Sequence, residues 1–388
     1  MATAVMPAGG YEPSWVNEEV RMYRDSVRQF IQRAFVPQQE RWREQRAPDV
    51  AAWTAAGGAG LLLPDIPEEY GGGGGTFAHQ AVVLEELARA GVHFGAIIQS
   101  VVAHYLLAYG TDGQKRSWLP RLASGEMVAA IAMTEPAAGS DLQGIKTTAR
   151  RDGDHYVING SKTFITNGQR ATLICLAVKT NPKVAGVRGI SLVMVESPGL
   201  AGYRVGRALD KIGMHGQDTC ELFFDDMRVP AANLLGSGEG QGFGQMMERM
   251  SYERLAVGVT AAATAEAAVA VTARYVKERV AFGKTLLDLQ HTRLVLAECK
   301  TAAHVGRVFL DHCIEQFVAG QLDDTTAAMA KYWLTDCQCR IVDECLQLHG
   351  GYGYMTEYPI ARMWADSRVQ RIYAGANEIM KELIACSL

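Results

Sequence analysis

The sequence predicts an α+β protein in three successive blocks: a helical N-terminal domain (residues 1–128), a central β-domain (129–240) and a C-terminal helical bundle (241–388). Three observations carry this prediction. Apolar residues recur at spacings of three and four in the outer blocks, the period of a helix buried on one face. In the middle block the period shortens, and Asp-Gly and Asn-Gly pairs punctuate it as in hairpins. Strands and helices do not alternate, so a doubly wound parallel sheet is not indicated.

In the first block, Val20, Tyr23, Val27, Phe30, Ile31 and Ala34 mark one amphipathic helix. Val82, Val83, Leu84, Leu87 and Ala88 mark another. Between them, the Gly71–Gly75 run must be a loop, because five glycines carry too much backbone entropy for a helix. Residues 94–111 lack Asp, Glu, Lys and Arg but contain Gln99, Ser100 and His104. They are barely long enough to cross a bilayer, so a buried helix is expected rather than a membrane span.

In the second block, turn pairs stand at Asp152-Gly153, Asn159-Gly160 and Asn167-Gly168. Strand-like runs surround them: His155–Ile158, Ser161–Thr166, Ala171–Val178 and Gly189–Val195. Ala171–Val178 is almost wholly apolar and should be covered on both faces. A further strand is expected over Glu221–Val229, ending at Pro230. The alternating Gly236, Gly238, Gly240, Gly242 and Gly244 read as a flexible linker.

Helices are expected in the third block over Gln241–Arg279, Gln290–Val318 and Thr325–His349. In the last, Met329, Trp333, Cys337, Ile341, Cys345 and Leu348 form the apolar stripe, and Gly350-Gly351 closes it. Long helices with short connections imply an antiparallel bundle.

Composition narrows the function. A 388-residue chain can bury about three quarters of its unfolded surface and needs no disulfide or metal staple. A net charge of −4 argues against a nucleic-acid partner. Eight cysteines form no Cys-x-x-Cys, and nine histidines form no His-Glu-x-x-His, so no metal site is expected. Cys337 and Cys339, two apart on a helix, point in different directions. The N-terminus has neither the charged-then-apolar layout of a signal peptide nor the arginines of a transit peptide. The C-terminal Cys-Ser-Leu is neither a peroxisomal nor a prenylation signal, so a cytoplasmic location is expected. Gly283-Lys284-Thr285 fails as a P-loop, because the leading glycine would have to be Glu278. No Gly-x-Ser-x-Gly elbow is present. Glycine is the unusual count, 40 residues or about one in ten against a norm near 7%, and points to turns and close backbone approaches.

One carboxylate stands out. Met246, Met250, Glu253 and Val257 share a stripe of the 241–279 helix, with Ala256 beside them. Desolvation there would raise the pKa of Glu253 and make it a useful proton acceptor. An ion pair with Arg249, one turn earlier, or exposure at the helix edge would account for it structurally.

Several segments resemble the acyl-CoA dehydrogenase family, in that family's order. Ala132-Met133-Thr134-Glu135-Pro136-Ala137-Ala138-Gly139-Ser140-Asp141 resembles its first signature. Lys162-Thr163-Phe164-Ile165-Thr166-Asn167-Gly168 resembles its flavin-contacting strand, and Lys211–Leu235 its third conserved stretch. Arg279–Lys284 and Gln347–Gly351 resemble its FAD adenosine and pyrophosphate segments, and Gly353–Ala385 its C-terminal signature.

The resemblance implies an N-terminal helical domain, a β-barrel-like central domain and a C-terminal four-helix bundle. It implies non-covalent FAD. Met133, Thr134, Phe164, Ile165 and Thr166 should then contact the flavin ring, and Ser140 should lie where FAD pyrophosphate and substrate meet. Arg279, Phe282, Gln290, Gln347, Gly350 and Gly351 should reach the FAD of a neighbouring subunit, and Asn377 and Glu378 should also bind cofactor. Tyr252, Arg254, Tyr373 and Gly375 are expected at the substrate.

Many family members carry their catalytic base as Glu in Ile-Tyr-Glu-Gly. Here that segment is Ile372-Tyr373-Ala374-Gly375. Isovaleryl-CoA and long-chain acyl-CoA dehydrogenases place the base in a Glu-Arg-Leu helix instead, and Glu253-Arg254-Leu255 matches. The resemblance therefore selects the residue the apolar stripe singled out. It implies that Glu253 takes the α-proton of an acyl-CoA while the β-hydrogen leaves as hydride, with the thioester carbonyl held by the backbone N–H of Ala374. It also implies an electron-transferring flavoprotein as acceptor and a homotetramer. The details most resemble bacterial long-chain enzymes, although Met214, Gly216 and Ala376 depart from their pattern. Two alternatives use the same fold. Glu253 counts against a flavin-dependent monooxygenase or nitroalkane oxidiser, and the intact FAD segments count against a non-enzymatic assembly protein.

Overall fold

The computed structural model describes residues 11–184 and 186–388; the targeting reading of the N-terminus rests partly on residues 1–10, outside that range. Six helices come first: α1 (Glu18–Phe30), α2 (Gln39–Gln45), α3 (Val50–Gly58), α4 (Phe77–Arg89), α5 (Ala96–Tyr109) and α6 (Asp112–Ala123). Their starts follow from capping chemistry. The Asn17 side chain accepts from Val20 N at 2.9 Å, and Thr76/His79 and Thr111/Gln114 form reciprocal capping boxes on α4 and α6. The charge-free stretch forms α5, which buries Val101, Val102, Tyr105 and Leu106.

The Gly71–Gly75 run is not slack. Its amides return to the preceding turn: Gly73 N to Leu63 O at 3.1 Å, Gly74 N to Ile66 O at 2.9 Å and Gly75 N to Pro64 O at 2.9 Å. A Cβ at Gly72 would lie 2.2 Å from Ile66 O, so that backbone approach requires glycine.

Seven strands follow: β1 (Ala129–Ala132), β2 (Thr148–Asp152), β3 (His155–Thr166), β4 (Leu173–Lys179), β5 (Ile190–Glu196), β6 (Tyr203–Ala208) and β7 (Thr219–Pro230). They form one sheet in the order β1-β4-β2-β3-β7-β6, with β5 added to β4. The apolar β4 lies between β1 and β5 and is covered on both faces. The Asp152-Gly153 turn joins β2 to β3, with Gly153 at φ +64. Asn159-Gly160 departs from its expected hairpin. His155–Thr166 is one strand, and the pair forms a bulge where the register against β7 shifts. Asn159 and Asp226 exchange two hydrogen bonds of 2.9 Å across it. Asn167-Gly168 does turn the chain, but β3 and β4 do not pair.

The remaining elements are α7 (Gly242–Glu278), the two-residue strands β8 (Val280–Ala281) and β9 (Lys284–Thr285), α8 (Gln290–Val318), α9 (Asp324–Leu348), α10 (Pro359–Ser367) and α11 (Asn377–Ala385). The expected linker before α7 is a packed turn. Gly240 N donates to Ser191 Oγ at 2.8 Å, and Gly242, which starts α7, abuts Ser191 too closely to admit a Cβ. The C-terminal helical domain is built on three long helices, with the short α10 and α11 packed on α9. By length and composition α7 could cross a membrane, but it is largely buried as the bundle's central helix.

A buried charge network ties α4, α7 and α8. Arg307 Nη1 meets Glu85 Oε1 at 2.5 Å, Arg307 Nε meets Glu266 Oε1 at 2.7 Å, and Arg89 Nη2 meets Glu266 Oε2 at 3.1 Å. One apolar core therefore runs from the N-terminal helices into the bundle, and it sets the position of α7.

Candidate active site

Glu253 lies on the half-buried flank of α7, within that apolar stripe. The Tyr105 hydroxyl, from α5, donates to Glu253 Oε1 at 3.1 Å. Arg249 is not its partner. That guanidinium lies over the Tyr109 ring, 5.6 Å from its centre. Burial pushes the Glu253 pKa up to about 7, against the Tyr105 hydrogen bond and the charge of Arg254, which favour the carboxylate. The result is a carboxyl poised to exchange a proton near neutral pH.

Its sequence neighbours point elsewhere. Tyr252 donates to Asp65 Oδ2 at 3.0 Å, and His104 meets the same oxygen at 2.9 Å. Arg254 is buried in the field of Asp324, at the start of α9.

The 373–375 segment turns sharply. Ala374 has φ +51 and Gly375 φ +88, and among the described residues the Ala374 N–H donates to no group. Lys331, from α9, fixes this turn by donating to Gly375 O at 2.6 Å and to Asn377 Oδ1 at 2.8 Å. Burial, helped by the Arg254 charge, takes the Lys331 pKa down to about 8. The helix that carries Lys331, α9, packs along α7, which carries Glu253. Tyr373 is partly exposed beside the free N–H.

A second group lies on the β-sheet. Met133 and Thr134 follow β1, and Thr163 N donates to Thr134 O at 3.0 Å. Beneath them Lys162 is fully buried, donating to Met133 O at 2.8 Å and to Glu135 Oε1 at 2.9 Å. The register of β3 shifts again between Lys162 and Ile165, and Phe164 takes φ +60. That break leaves the Phe164 ring 66% exposed, while Ile165 turns into the sheet core and Thr166 is half-buried. Ser140 is exposed beyond Gly139.

A third group closes the far end of the bundle. β8 and β9 form a hairpin whose tip is Phe282 (φ +53) and Gly283 (φ +73), which explains why Gly283-Lys284-Thr285 is no phosphate loop. Phe282 is 92% exposed. Arg279 lies over the Tyr352 ring at 5.3 Å, joining the hairpin to the turn after α9. Gln290, Gln347, Gly350 and Gly351 are exposed there. Among the described residues no hydrogen bond joins this group to the β-sheet group.

Asn377 faces inward. Besides Lys331, it bonds Asp336 Oδ1 at 2.9 Å and Thr335 Oγ1 at 3.0 Å, so its side chain anchors α11, and only Glu378 beside it is exposed. Sequence reasoning missed Tyr105, Lys331 and Asp65. Nothing local marks them, since each acts on a residue distant in the chain.

These surfaces suit a large planar, phosphate-bearing ligand. Phe164 and Phe282 offer exposed aromatic faces, and Arg279 offers a donor fork suited to phosphate. A Cβ at Gly139, Gly350 or Gly351 would meet nothing within 4 Å, so that backbone is open to approach.

Comparison with known proteins identifies the class. The N-terminal, middle and C-terminal domains of acyl-CoA dehydrogenase match residues 17–126, 130–227 and 240–388. The mitochondrial long-chain specific acyl-CoA dehydrogenase of Sus scrofa is 43% identical over 95% of this chain and 86% of its own. A crystal structure of an acyl-CoA dehydrogenase from Geobacillus kaustophilus superposes with a TM-score of 0.95, at 45% identity, over 97% of this chain and 99% of its own. A glutaryl-CoA dehydrogenase from Mycobacterium smegmatis, solved in complex with FADH2, gives a TM-score of 0.89 at 26% identity, over 96% of this chain and 95% of its own. The chain belongs to the acyl-CoA dehydrogenase family. It is therefore an FAD-dependent oxidoreductase of acyl-CoA dehydrogenation.

Proposed function

We propose that the protein converts a medium- to long-chain acyl-CoA to the trans-2-enoyl-CoA with Glu253 as catalytic base. The observation that carries this reading is the Glu253 carboxyl itself, desolvated and, among the described residues, in no ion pair and held by a single phenol. It takes the α-proton of the thioester onto its oxygen. The free N–H of Ala374 donates to the thioester carbonyl and stabilises the negative charge that develops there, a task that needs no side chain. Tyr373 and Gly375 line the approach to that carbonyl, and Ser140 meets both ligands; Tyr252 and Arg254, expected at the substrate, are instead buried against Asp65 and Asp324 and hold the Glu253 turn from behind. FAD, when bound, supplies the two-electron acceptor. Met133, Thr134, Ser140, Phe164, Ile165 and Thr166 hold its flavin half, Ile165 through its backbone. Arg279, Phe282, Gln290, Gln347, Gly350 and Gly351 hold the distal half of a FAD shared with a second subunit, with Glu378 nearby and Asn377 anchoring its helix. A shared site needs at least a dimer, and we infer a homotetramer. An electron-transferring flavoprotein is the acceptor in this reading, the location is cytoplasmic, and the domains divide at 128/129 and 240/241.

Anaerobic flavin bleaching by butyryl-, octanoyl- and palmitoyl-CoA tests the proposal. Octanoyl- or palmitoyl-CoA should bleach fastest, at a rate that rises with pH through about 7 as Glu253 loses its proton. No bleaching by any of the three would reject it.

A further inference from the structure

Glu253 is held by one residue that the reaction has not yet used. The Tyr105 ring is fully buried on α5, and its hydroxyl meets Glu253 Oε1 at 3.1 Å. The alternative acceptor of that hydroxyl, Met246 O, is farther away at 3.4 Å. Only one carboxylate oxygen is occupied. Oε2 has no hydrogen-bond partner among the described residues and is not among the side-chain atoms cut off from solvent.

The surroundings lock this arrangement. His104 and Tyr105 are consecutive on α5, and Tyr252 and Glu253 are consecutive on α7. The His104 and Tyr252 rings lie 4.3 Å apart, and both bond Asp65 Oδ2. Asp65 sits in the turn that the Gly72–Gly75 amides clamp. The two helices are thus latched one residue before the base, and the latch presents the Tyr105 phenol to Glu253.

We propose that Tyr105 is a positioning residue for the dehydrogenation. It donates to Oε1, fixes the carboxylate rotamer and leaves Oε2 as the oxygen that takes the α-proton. This inference rests on the reading of Glu253 as base. A hydrogen bond to the ionised form also favours that form, so Tyr105 keeps the base available at neutral pH. The other groups whose charges reach Glu253 are Cys175 from β4, and Tyr252 and Arg254 on its own helix. Of these, only Arg254 favours the carboxylate, alongside the Tyr105 hydrogen bond.

Tyr105→Phe removes the hydroxyl and keeps the ring. The holoenzyme should retain FAD and its helical circular dichroism. With palmitoyl-CoA under anaerobic conditions, the bleaching rate should fall about tenfold with KM within about twofold, and the rising limb of its pH profile should move about one unit alkaline. The protonated-carboxyl band in infrared difference spectra between Tyr105→Phe and Tyr105→Phe/Glu253→Gln should titrate at the same raised pH. A native rate and an unmoved limb would overturn the role of Tyr105, and so would a lower rate with an unmoved carboxyl titration. Glu253→Gln separates the two ideas: bleaching at the native rate in that variant overturns the base reading itself, whatever Tyr105→Phe does.

Discussion

The sheet group rests on the buried Lys162–Glu135 ion pair. Lys162 is fully buried, bonded to Glu135 at 2.9 Å and to Met133 O at 2.8 Å. Lys162→Met keeps most of the volume and removes the ammonium, leaving the Glu135 carboxylate buried. Breaking one side of a buried pair costs about 3–5 kcal/mol. Glu135 still accepts from Lys146 N at 2.6 Å and Thr147 N at 3.0 Å, so the lower end, about 3 kcal/mol, applies. For a 388-residue chain the unfolding entropy is about 0.8 kcal/mol/K, from roughly 2.1 cal/mol/K per residue, so Tm should fall by about 4 °C. The second variant makes the argument specific. Lys162→Met/Glu135→Gln removes the stranded charge and should recover at least about 1 kcal/mol of the loss. Thermal denaturation of the holoenzyme by circular dichroism, with released FAD read by fluorescence, gives both numbers. A single-variant shift below 1 °C, or a double variant less stable than the single, would refute the reasoning.

Three other outcomes follow from the same geometry. Gly72→Ala drives a Cβ to 2.2 Å from Ile66 O and should cost about 1–3 kcal/mol by urea denaturation; a neutral result would mean that the Gly71–Gly75 turn yields freely. Arg307→Met leaves Glu85 and Glu266 to share Arg89, with Arg24 3.4 Å from Glu85, and should cost about 3 kcal/mol, the lower end for a broken buried pair, measured the same way, with more loss at pH 7 than at pH 4, where protonation relieves the carboxylates. Ala374→Glu in a Glu253→Gln background should restore part of the flavin bleaching, because a carboxylate at 374 would face the same α-carbon; no restoration would place Ala374 away from that carbon.

Local pattern carried much of the fold. The helix read over Gln290–Val318 matches α8, because its start follows a turn and its stripe is regular. Asn159-Gly160 misled for a physical reason: the same dipeptide that makes a tight hairpin also serves a bulge, and only the partner strand decides which. The glycines from 236 to 244 look slack in sequence, yet Gly240 and Gly242 are there because Arg188 and Ser191 leave no room for a Cβ. At the site, Glu253 was legible because a lone carboxylate interrupts an apolar stripe. Its partner Tyr105 was not, since it lies 148 residues away and resembles any other aromatic of a buried helix. Asn377 shows the converse: its segment resembles a cofactor-binding stretch, but Lys331, Thr335 and Asp336 claim its side chain.

The most direct measurement is anaerobic reduction of the Glu253→Gln holoenzyme. Glutamine keeps the shape and can still accept from Tyr105, but it cannot take a proton. The variant should hold FAD and bind palmitoyl-CoA with an affinity near that of the native enzyme, while the flavin stays oxidised. Bleaching at the native rate would contradict the account and remove Glu253 from the reaction.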